Sequence, residues 1–538
     1  MVAKAMPKLR MDGSPLKRPR SIDLPKIDVN EAIAHLQRAL TTKQRLMALH
    51  HVQNLIEGDP TAISWMVDSG LIRILQLQLS YALQRHGSTS QELGTLCQVF
   101  DLALRTSPAG SLESALDKEA GRSLVNLVAD AFPWGFHHVI VSILHTISQT
   151  SSGAFLILHC SKAMHCVTEL FRCCRASSTS KEAVFEALGL LKNLTYFSEE
   201  SRNILLDLPG IVGSLANVAV FVDQKGHERL SAIWRNLSVS METRRRLAQD
   251  PDVLNGLLEL ADCTCSYALR NLLNTTISLS MDPESCVILV LHGDGIFVNV
   301  LRRLLVTETD ALIRKRAARV IKLWASNDFV GPILVKDRAL MDVLSQQALQ
   351  DQNVDVRHEA ADAFCRCSQR IQSPMPQHQL VLDAIMFLAE QSRLPAEVLA
   401  RTLKAQALHP RNRIPMAERN SLLSALARIA QQEGVPNSAR EDACCALAYL
   451  SDEAANLPKL STAGIVEAVT VNAIGGRGLR RSYAVQTIVN LTSTAENLPK
   501  LATHTNLLQA LIQFAATSIE DQLKSKVKKV IMMLIAEL

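Results

Sequence analysis

Histidine and cysteine side chains, which can ligate zinc, are concentrated between residues 159 and 174 of the 538-residue chain. They are His159, Cys160, His165, Cys166, Cys173 and Cys174. Zinc ligands on one helix need a spacing near i, i+4, but His159, Cys166 and Cys173 are separated by steps of about 10.5 Å along a helix axis. Because one helix cannot bring them to one ion, we predict core cysteines and no metal site.

Motifs for catalysis are incomplete. The segment Gly475-Gly476-Arg477-Gly478 lacks the Gly-Lys-Ser/Thr ending of a phosphate-binding loop. His358 and Glu359 are not followed by the second histidine of a helical zinc-protease motif. The sequence also contains no Gly-x-Ser-x-Gly turn and no kinase signature. We therefore expect a protein that is not an enzyme and that has no cofactor and no small-molecule substrate.

The strongest regularity in the sequence is an internal repeat. The pentapeptide Asn-Leu-Pro-Lys-Leu occurs at 456–460 and again at 497–501. Residues 266–276 resemble residues 482–492, since both begin with Ser-Tyr-Ala and carry an asparagine near the end. Self-similarity at a period of about 41 residues indicates stacked helical units.

Each unit is predicted to contain a short, a medium and a long helix. In residues 198–240 the short helix should end at Gly210, because glycine permits a tight turn. A second helix is predicted over 211–222 and a third over about 226–239. The same rhythm recurs at 241–281, 282–328, 329–371, 453–493 and 494–538. A low aromatic content of 4% agrees with an all-helical chain of roughly ten units.

These units resemble armadillo repeats, in which a first helix ends at glycine and a long third helix ends in an Asn-Leu-Ser/Thr-like sequence. The corresponding ends are Asn193-Leu-Thr195, Asn236-Leu-Ser238, Asn274-Thr-Thr276 and Asn490-Leu-Thr492. The resemblance implies an all-α, right-handed solenoid of about ten three-helix repeats. Its regions would be degenerate repeats at 29–180, clear repeats at 181–371, an irregular segment at 372–440 and clear repeats at 441–538. HEAT-type repeats are the structural alternative.

A helical wheel divides the predicted third helices into two faces. On one face, Leu230, Trp234 and Leu237 recur at apolar spacing, so we predict that Trp234 packs in the core rather than binding a ligand. The opposite face is polar, and stacked third helices line the inner surface of such a solenoid. The predicted groove residues are Asn193, Arg229, Asn236, Tyr267, Arg270, Asn274, Lys315, Arg319, Lys322, Tyr483, Gln486 and Asn490.

The chemistry of this polar face fits an extended peptide. A side-chain amide both donates to and accepts from a peptide backbone, and tyrosine adds contact area at low entropic cost. Arginine and lysine select acidic side chains through charge-assisted hydrogen bonds. The plain alternative is an ordinary solvated face, with asparagine closing the last helical turn.

The net charge of +5 is concentrated at the N-terminus. Residues 1–28 hold seven basic and three acidic side chains, which leaves 50 basic against 49 acidic side chains elsewhere. A neutral body argues against a nucleic-acid partner. Within this basic tail, which we expect to be disordered, Lys17, Arg18 and Arg20 form a cluster typical of a nuclear-localisation signal, and equally of a merely soluble tail.

We therefore expect a non-catalytic scaffold or adaptor that binds extended, acidic segments of partner proteins. One alternative is a nuclear transport receptor like importin-alpha, whose grooves pair the asparagine with a tryptophan four residues earlier. Those positions here hold Gly189, Ala232, Arg270 and Gln486. Another alternative is a substrate-recruiting subunit of an enzyme complex such as a ubiquitin ligase.

Cysteine content and hydropathy bear on the compartment. The 12 cysteines are scattered and the sequence shows no secretory signal, so we expect reduced thiols. No apolar run approaches the roughly 18–20 residues of a membrane span, and no lipid-attachment motif is evident. These features predict a cytoplasmic or nuclear protein, or one found in both, without a membrane anchor.

Overall fold

The computed structural model describes residues 26–39, 41–58, 62–85, 89–107, 118–173, 180–369, 396–518 and 520–538. Secondary structure in these ranges is helical, without a β-strand. The chain divides into two compact units, Met1–Leu205 and Leu206–Leu538.

The first unit combines short and long helices, and several of the longer ones pack on one another in succession. Its helices are α1 (Lys26–Arg38), α2 (Thr42–Gly58), α3 (Ala62–Asp68), α4 (Leu71–Gln84), α5 (Ser90–Thr106), α6 (Lys118–Asp130), α7 (His137–Ile147), α8 (Ser151–Leu158), α9 (Ser161–Cys173) and α10 (Lys181–Phe197), followed by α11 (Glu199–Asp207). Helix α2 packs on α5, α5 on α7, and α7 on α10. This succession is the arrangement expected of stacked third helices.

The second unit repeats a short, a medium and a long helix. Its helices are α12 (Ile211–Val218), α13 (Gln224–Leu237), α14 (Met241–Gln249), α15 (Pro251–Ala261), α16 (Ser266–Leu279), α17 (Pro283–Leu291), α18 (Ile296–Thr307), α19 (Ala311–Ser326), α20 (Gly331–Leu334), α21 (Arg338–Gln350), α22 (Val354–Ser368), α23 (Ala396–Ala407), α24 (Pro410–Ala417), α25 (Asn420–Gln431), α26 (Asn437–Ser451), α27 (Leu457–Leu460), α28 (Ala463–Gly475), α29 (Leu479–Leu491), α30 (Leu498–Ala502), α31 (Leu507–Thr517) and α32 (Asp521–Glu537). Consecutive contacts run through α13, α16, α19, α22, α23, α26, α29 and α32. We call these eight the third helices of the second unit.

Local sequence explains where these helices begin and end. Gly210 has a φ of +78°, which allows the tight turn before α12 at the predicted position. Helix α12 ends at Val218, earlier than predicted, because Asp223 starts the next helix by accepting a hydrogen bond from the backbone N–H of Gly226 (2.9 Å). Asn506, at a φ of +67°, takes the glycine-like place before α31.

The segment 372–440, whose sequence repeats poorly, is described from residue 396 onward. There α24, α25 and α26 follow one another as a short, a medium and a long helix, and α23 packs on α26. Pro415 lies inside α24 and Pro436 directly precedes α26. These prolines set the local sequence apart from the other units, although the helical rhythm is the same.

The repeated pentapeptide has a structural role. Asn456 and Asn497, its first residue in each copy, are buried at 1% and 2% exposure. The Asn456 amide donates to the carbonyl of Leu450 (3.0 Å), and the Asn497 amide donates to that of Leu491 (3.1 Å). Each asparagine thus satisfies a carbonyl near the end of the preceding third helix, a group left without an intrahelical partner.

Two tryptophans anchor the core of the second unit. Trp234 is fully buried with Leu230 and Leu237, which confirms its predicted place in the core. Trp324 is equally buried, and its indole N–H donates to the hydroxyl of Ser280 (2.7 Å), which ties α19 to α16. The indole N–H of Trp234 has no acceptor among the described residues.

A membrane span requires a helix of sufficient length and apolar character. No single helix among the described residues has both the length and the apolar character to cross a membrane. Two helices bent by 89°, Pro283–Asp294 and Ile296–Thr307, meet those criteria only when taken together.

Candidate partner-binding surface

Helix α16 presents a regular polar face to solvent. Tyr267 is 46% exposed, and Arg270 and Asn274 are half-buried on the same side of the helix. Ala268 and Leu269 lie in the core. The spacing i, i+3, i+7 places the three polar side chains in one row. The structure thus brings together the three residues that the sequence predicted for this helix.

Helix α19 carries the predicted basic row, but its lysines are paired. Lys315, Arg319 and Lys322 share one face. The Lys315 amine lies 2.9 Å from a carboxylate oxygen of Asp355 on α22. The Lys322 amine lies 2.7 Å from Asp362 on the same helix. Because acidic side chains of α22 neutralise both lysines, Arg319 is the exposed charge of this row.

Arg270 is held by a carboxylate from the next unit. Its Nε and Nη2 donate to Oδ2 of Asp310 at 2.8 and 2.6 Å. The other oxygen of Asp310 caps α19 by accepting from the backbone N–H of Leu312 (2.9 Å). Burial by itself would raise the pKa of Asp310, but these hydrogen bonds and the charges of Arg270 and Arg316 hold that pKa below its ordinary value. Asp310 is therefore ionised, and both of its carboxylate oxygens accept hydrogen bonds.

Arg316 and the three arginines whose charges act on it form a group that we call the arginine cluster: Arg235 on α13, Arg270 on α16, and Arg316 and Arg319 on α19. Arg316 donates to the backbone carbonyl of Arg270 (3.5 Å). Burial lowers the pKa of Arg316, and the positive charges of Arg270, Arg235 and Arg319 lower it further. The cluster therefore holds positive charge in excess of its single carboxylate.

On helix α13 the wheel prediction holds for the core face but not for Asn236. Asn236 is 7% exposed, so its side chain lies inside rather than on the open face. Arg235 takes the half-exposed position and donates to the side-chain oxygen of Asn271 on α16 (3.2 Å). Arg229 is half-buried near the start of the same helix. The sequence prediction missed Arg235 because it took the asparagine as the reference point of every third helix.

Arg316 was missed for a similar reason. It directly follows Lys315 and lies three residues before Arg319, which places it on the same side of α19. A wheel drawn for α19 alone, without reference to other helices, would have included it. Its proximity to Arg235 and Arg270 depends on packing between helices and has no signal in the sequence.

Predicted residues of the C-terminal part also share one face. Tyr483, Gln486 and Asn490 are half-buried on α29. Gln486 donates to the side-chain oxygen of Asn490 (2.7 Å). Burial, followed by the neighbouring Cys445 thiol, raises the pKa of Tyr483 to about 12. Tyr483 and Gln486 line a cleft of about 540 Å³ between α29 and the start of α32.

Two of the predicted asparagines link adjacent third helices. The Asn193 amide donates to the hydroxyl of Ser148 (3.0 Å) in the first unit, and the Asn490 amide donates to that of Ser451 (3.0 Å) in the second. In both cases the serine lies at the end of the preceding third helix. These amides serve helix packing, whereas the side-chain amide of Asn274 makes no hydrogen bond with any described side chain or backbone group.

Two further predictions concern the basic N-terminal tail and the segment rich in histidine and cysteine. Lys17, Arg18 and Arg20 fall outside the described residues. Cys160 and Cys166 are buried at 6% exposure each, and the described residues contain no group of three metal-ligating side chains. Burial, followed by the charge of Cys160, raises the pKa of the Cys166 thiol to about 12, as expected for a core cysteine.

Helical units of this kind, with third helices packed in succession, form an armadillo-like helical-repeat fold. Solved structures support this class. A chain from a structure of the interaction between cadherin and β-catenin, an armadillo protein, is 13% identical with a TM-score of 0.61. That alignment covers 94% of this chain and 100% of the other.

An engineered protein solved by the Northeast Structural Genomics Consortium is also similar. It is 18% identical with a TM-score of 0.50, and the alignment covers 86% of this chain and 99% of that protein. At such low identity the likeness shows the fold alone. No protein-family model and no curated protein matches the sequence.

Proposed function

We propose that this chain is a non-catalytic scaffold or adaptor that binds extended, acidic segments of partner proteins. The proposed binding surface is the solvent-facing side of the third helices α13, α16 and α19. The observation that carries this proposal is the arginine cluster, in which only Arg270 is paired with a carboxylate, that of Asp310, while the other three arginines add positive charge beside it. Arginine is suited to such recognition because its planar fork matches a carboxylate with two parallel hydrogen bonds.

Neighbouring side chains support an extended ligand. Tyr267 exposes an aromatic ring beside Arg270, and Asn274 presents an amide that can pair with a peptide backbone. The row Tyr267, Arg270 and Asn274 follows the axis of α16. A ligand lying across successive third helices would meet the arginines in turn. The fold likeness to an armadillo protein in a structure concerned with a partner interaction is consistent with this role.

A basic cargo segment, as expected for a transport receptor, would be repelled by the arginine cluster. The role of a recruiting subunit in a larger enzyme complex is compatible with the proposal, because the binding chemistry is the same. The right-handed winding, the number of about ten units and a cytoplasmic or nuclear location stay predictions.

The proposal is tested with a short fluorescent peptide composed of Asp, Glu, Gly and Ser. Its binding to the full chain is measured by fluorescence anisotropy at low salt. A neutral version carries Asn and Gln in place of the acids, and a basic version carries Lys. We expect the acidic peptide to bind at least about tenfold more tightly than the other two and to weaken as salt is added.

A matched pair of variants locates the site. Arg235→Ala/Arg316→Ala/Arg319→Ala should weaken the acidic peptide at least about tenfold. Arg477→Ala/Lys528→Ala/Lys529→Ala removes the same charge from exposed positions elsewhere and should leave binding within about twofold. Circular dichroism checks that both variants fold. Equal losses in the two variants, or tighter binding of the basic peptide, would refute the proposal.

A further inference from the structure

We propose that the arginine cluster recognises a phosphorylated serine or threonine within the acidic partner segment. This inference rests on the proposed function and assigns the ligand of the same site more narrowly. Two features support this assignment. Several guanidinium groups of the cluster have no carboxylate partner among the described residues, and these groups retain N–H donors that are not used within the protein.

The charges of the arginine cluster are not balanced by carboxylates of the described residues. Asp310 is occupied by Arg270 through one oxygen and by the start of α19 through the other. Among the described residues, no carboxylate lies within ion-pair distance of Arg235, Arg316 or Arg319. A glutamate or aspartate supplies one negative charge, whereas a phosphate monoester supplies about 1.5 to 2 at neutral pH. Three uncompensated guanidinium charges therefore favour the phosphate.

The arginines of the cluster retain hydrogen-bond donors for a ligand. Arg235 uses one nitrogen on the neutral Asn271 oxygen, and Arg316 uses one on a backbone carbonyl. A guanidinium has five N–H donors, so each arginine retains donors for a ligand. Three phosphate oxygens can accept from several forks at once, while a carboxylate has two oxygens in one plane.

The arginines of the cluster are placed on adjacent helices. Arg316 and Arg319 are three residues apart on one face of α19, where such neighbours lie about 5–6 Å apart at their Cβ atoms. Arg316 reaches the backbone of Arg270 on α16. Arg235 reaches Asn271 on that same helix from α13. Guanidinium groups from two helices, α13 and α19, thus reach α16, which lies between them and carries Arg270.

The experiment uses three fluorescent peptides that differ at one central position, which is serine, phosphoserine or glutamate in an otherwise acidic sequence. Binding to the full chain is measured by anisotropy at one salt concentration. We expect the phosphoserine peptide to bind at least about tenfold more tightly than the glutamate peptide. A single-stranded RNA of similar length serves as a comparison, and tighter binding of that RNA would overturn the assignment to a protein segment.

The variant Arg316→Lys/Arg319→Lys keeps both charges but removes their forks. It should reduce the preference for phosphoserine over glutamate to about threefold or less, because a phosphate loses more fork contacts than a carboxylate does. Arg477→Lys/Arg338→Lys, at exposed positions outside the cluster, should keep the full preference. If the phosphoserine and glutamate peptides bind equally, the inference fails and the proposed function stands. If no acidic peptide binds better than a neutral one, both fail.

Discussion

The side-chain amide of Asn490 donates to the hydroxyl of Ser451 across two adjacent third helices at 3.0 Å. Asn193 and Ser148 make the same contact at the same distance in the first unit. An asparagine in this position therefore fixes one repeat against the next. Asn274 occupies the corresponding position of α16 without such a contact among the described residues, so its amide remains available to a ligand.

This difference predicts that one asparagine substitution lowers stability and that the other lowers peptide binding. Asn490→Ala should lower the free energy of unfolding by about 0.5–1.5 kcal/mol, because it removes a hydrogen bond between repeats. Asn274→Ala should leave stability within about 0.5 kcal/mol and weaken acidic-peptide binding. Urea unfolding followed by circular dichroism measures the first effect, and anisotropy measures the second. Loss of stability in Asn274→Ala as large as in Asn490→Ala would contradict this division.

The two buried tryptophans form a second matched pair. Trp324→Phe removes the hydrogen bond to Ser280, whereas Trp234→Phe removes an indole N–H that has no acceptor among the described residues. Both side chains are fully buried, so both variants lose similar packing. We expect Trp324→Phe to be more destabilising by about 1 kcal/mol. Urea midpoints measured under identical conditions provide the comparison, and equal destabilisation would exclude a contribution from the hydrogen bond.

The basic row of α19 separates binding from stability. Arg319→Ala should weaken the acidic peptide several-fold and leave the melting temperature unchanged, because Arg319 is exposed and has no acidic partner among the described residues. Lys322→Ala should lower the free energy of unfolding by roughly 1–3 kcal/mol, since Glu359 would lose its counter-charge while largely buried and Asp362 would keep only Arg366. Thermal unfolding and anisotropy on both variants distinguish the two roles. An unchanged melting temperature in Lys322→Ala would argue against the ion pair as a structural contact.

Asp351 predicts how stability depends on acid. Its carboxylate accepts hydrogen bonds from Nε and Nη2 of Arg314 at 2.7 and 3.0 Å. Burial opposes ionisation, but these bonds, together with one from the backbone N–H of Asn353, hold the pKa of Asp351 below its ordinary value. A lowered pKa in the folded state stabilises the protein above the unfolded value of about 3.9, and that contribution is lost as the pH falls through the folded pKa.

We therefore expect the melting temperature of the parent protein to fall steeply below about pH 4. Asp351→Asn should be less stable at neutral pH and should lose less of its stability over the acid range. Melting curves recorded between neutral pH and about pH 2 on both proteins make the comparison. Parallel curves for the two proteins would show that Asp351 does not contribute to the acid response.

Much of the local architecture can be predicted from the sequence because it depends on neighbours along the chain. The turn at Gly210, the burial of Trp234 and the shared faces of α16, α19 and α29 follow from glycine geometry and from the 3.6-residue period. The repeated Asn-Leu-Pro-Lys-Leu segments likewise mark equivalent places in successive units. All of these features involve residues within one helix or one turn.

The character of the candidate site was decided by tertiary structure. Arg270 meets Asp310, and Lys322 meets Asp362, across about 40 residues of sequence, and no helical wheel contains both partners of such a pair. The exposure of Arg235 instead of Asn236 depends on how α13 packs against its neighbours. Packing between repeats decides which charged side chains have an ionic partner. An ion pair forms wherever two helices bring opposite charges together, whatever their separation along the chain.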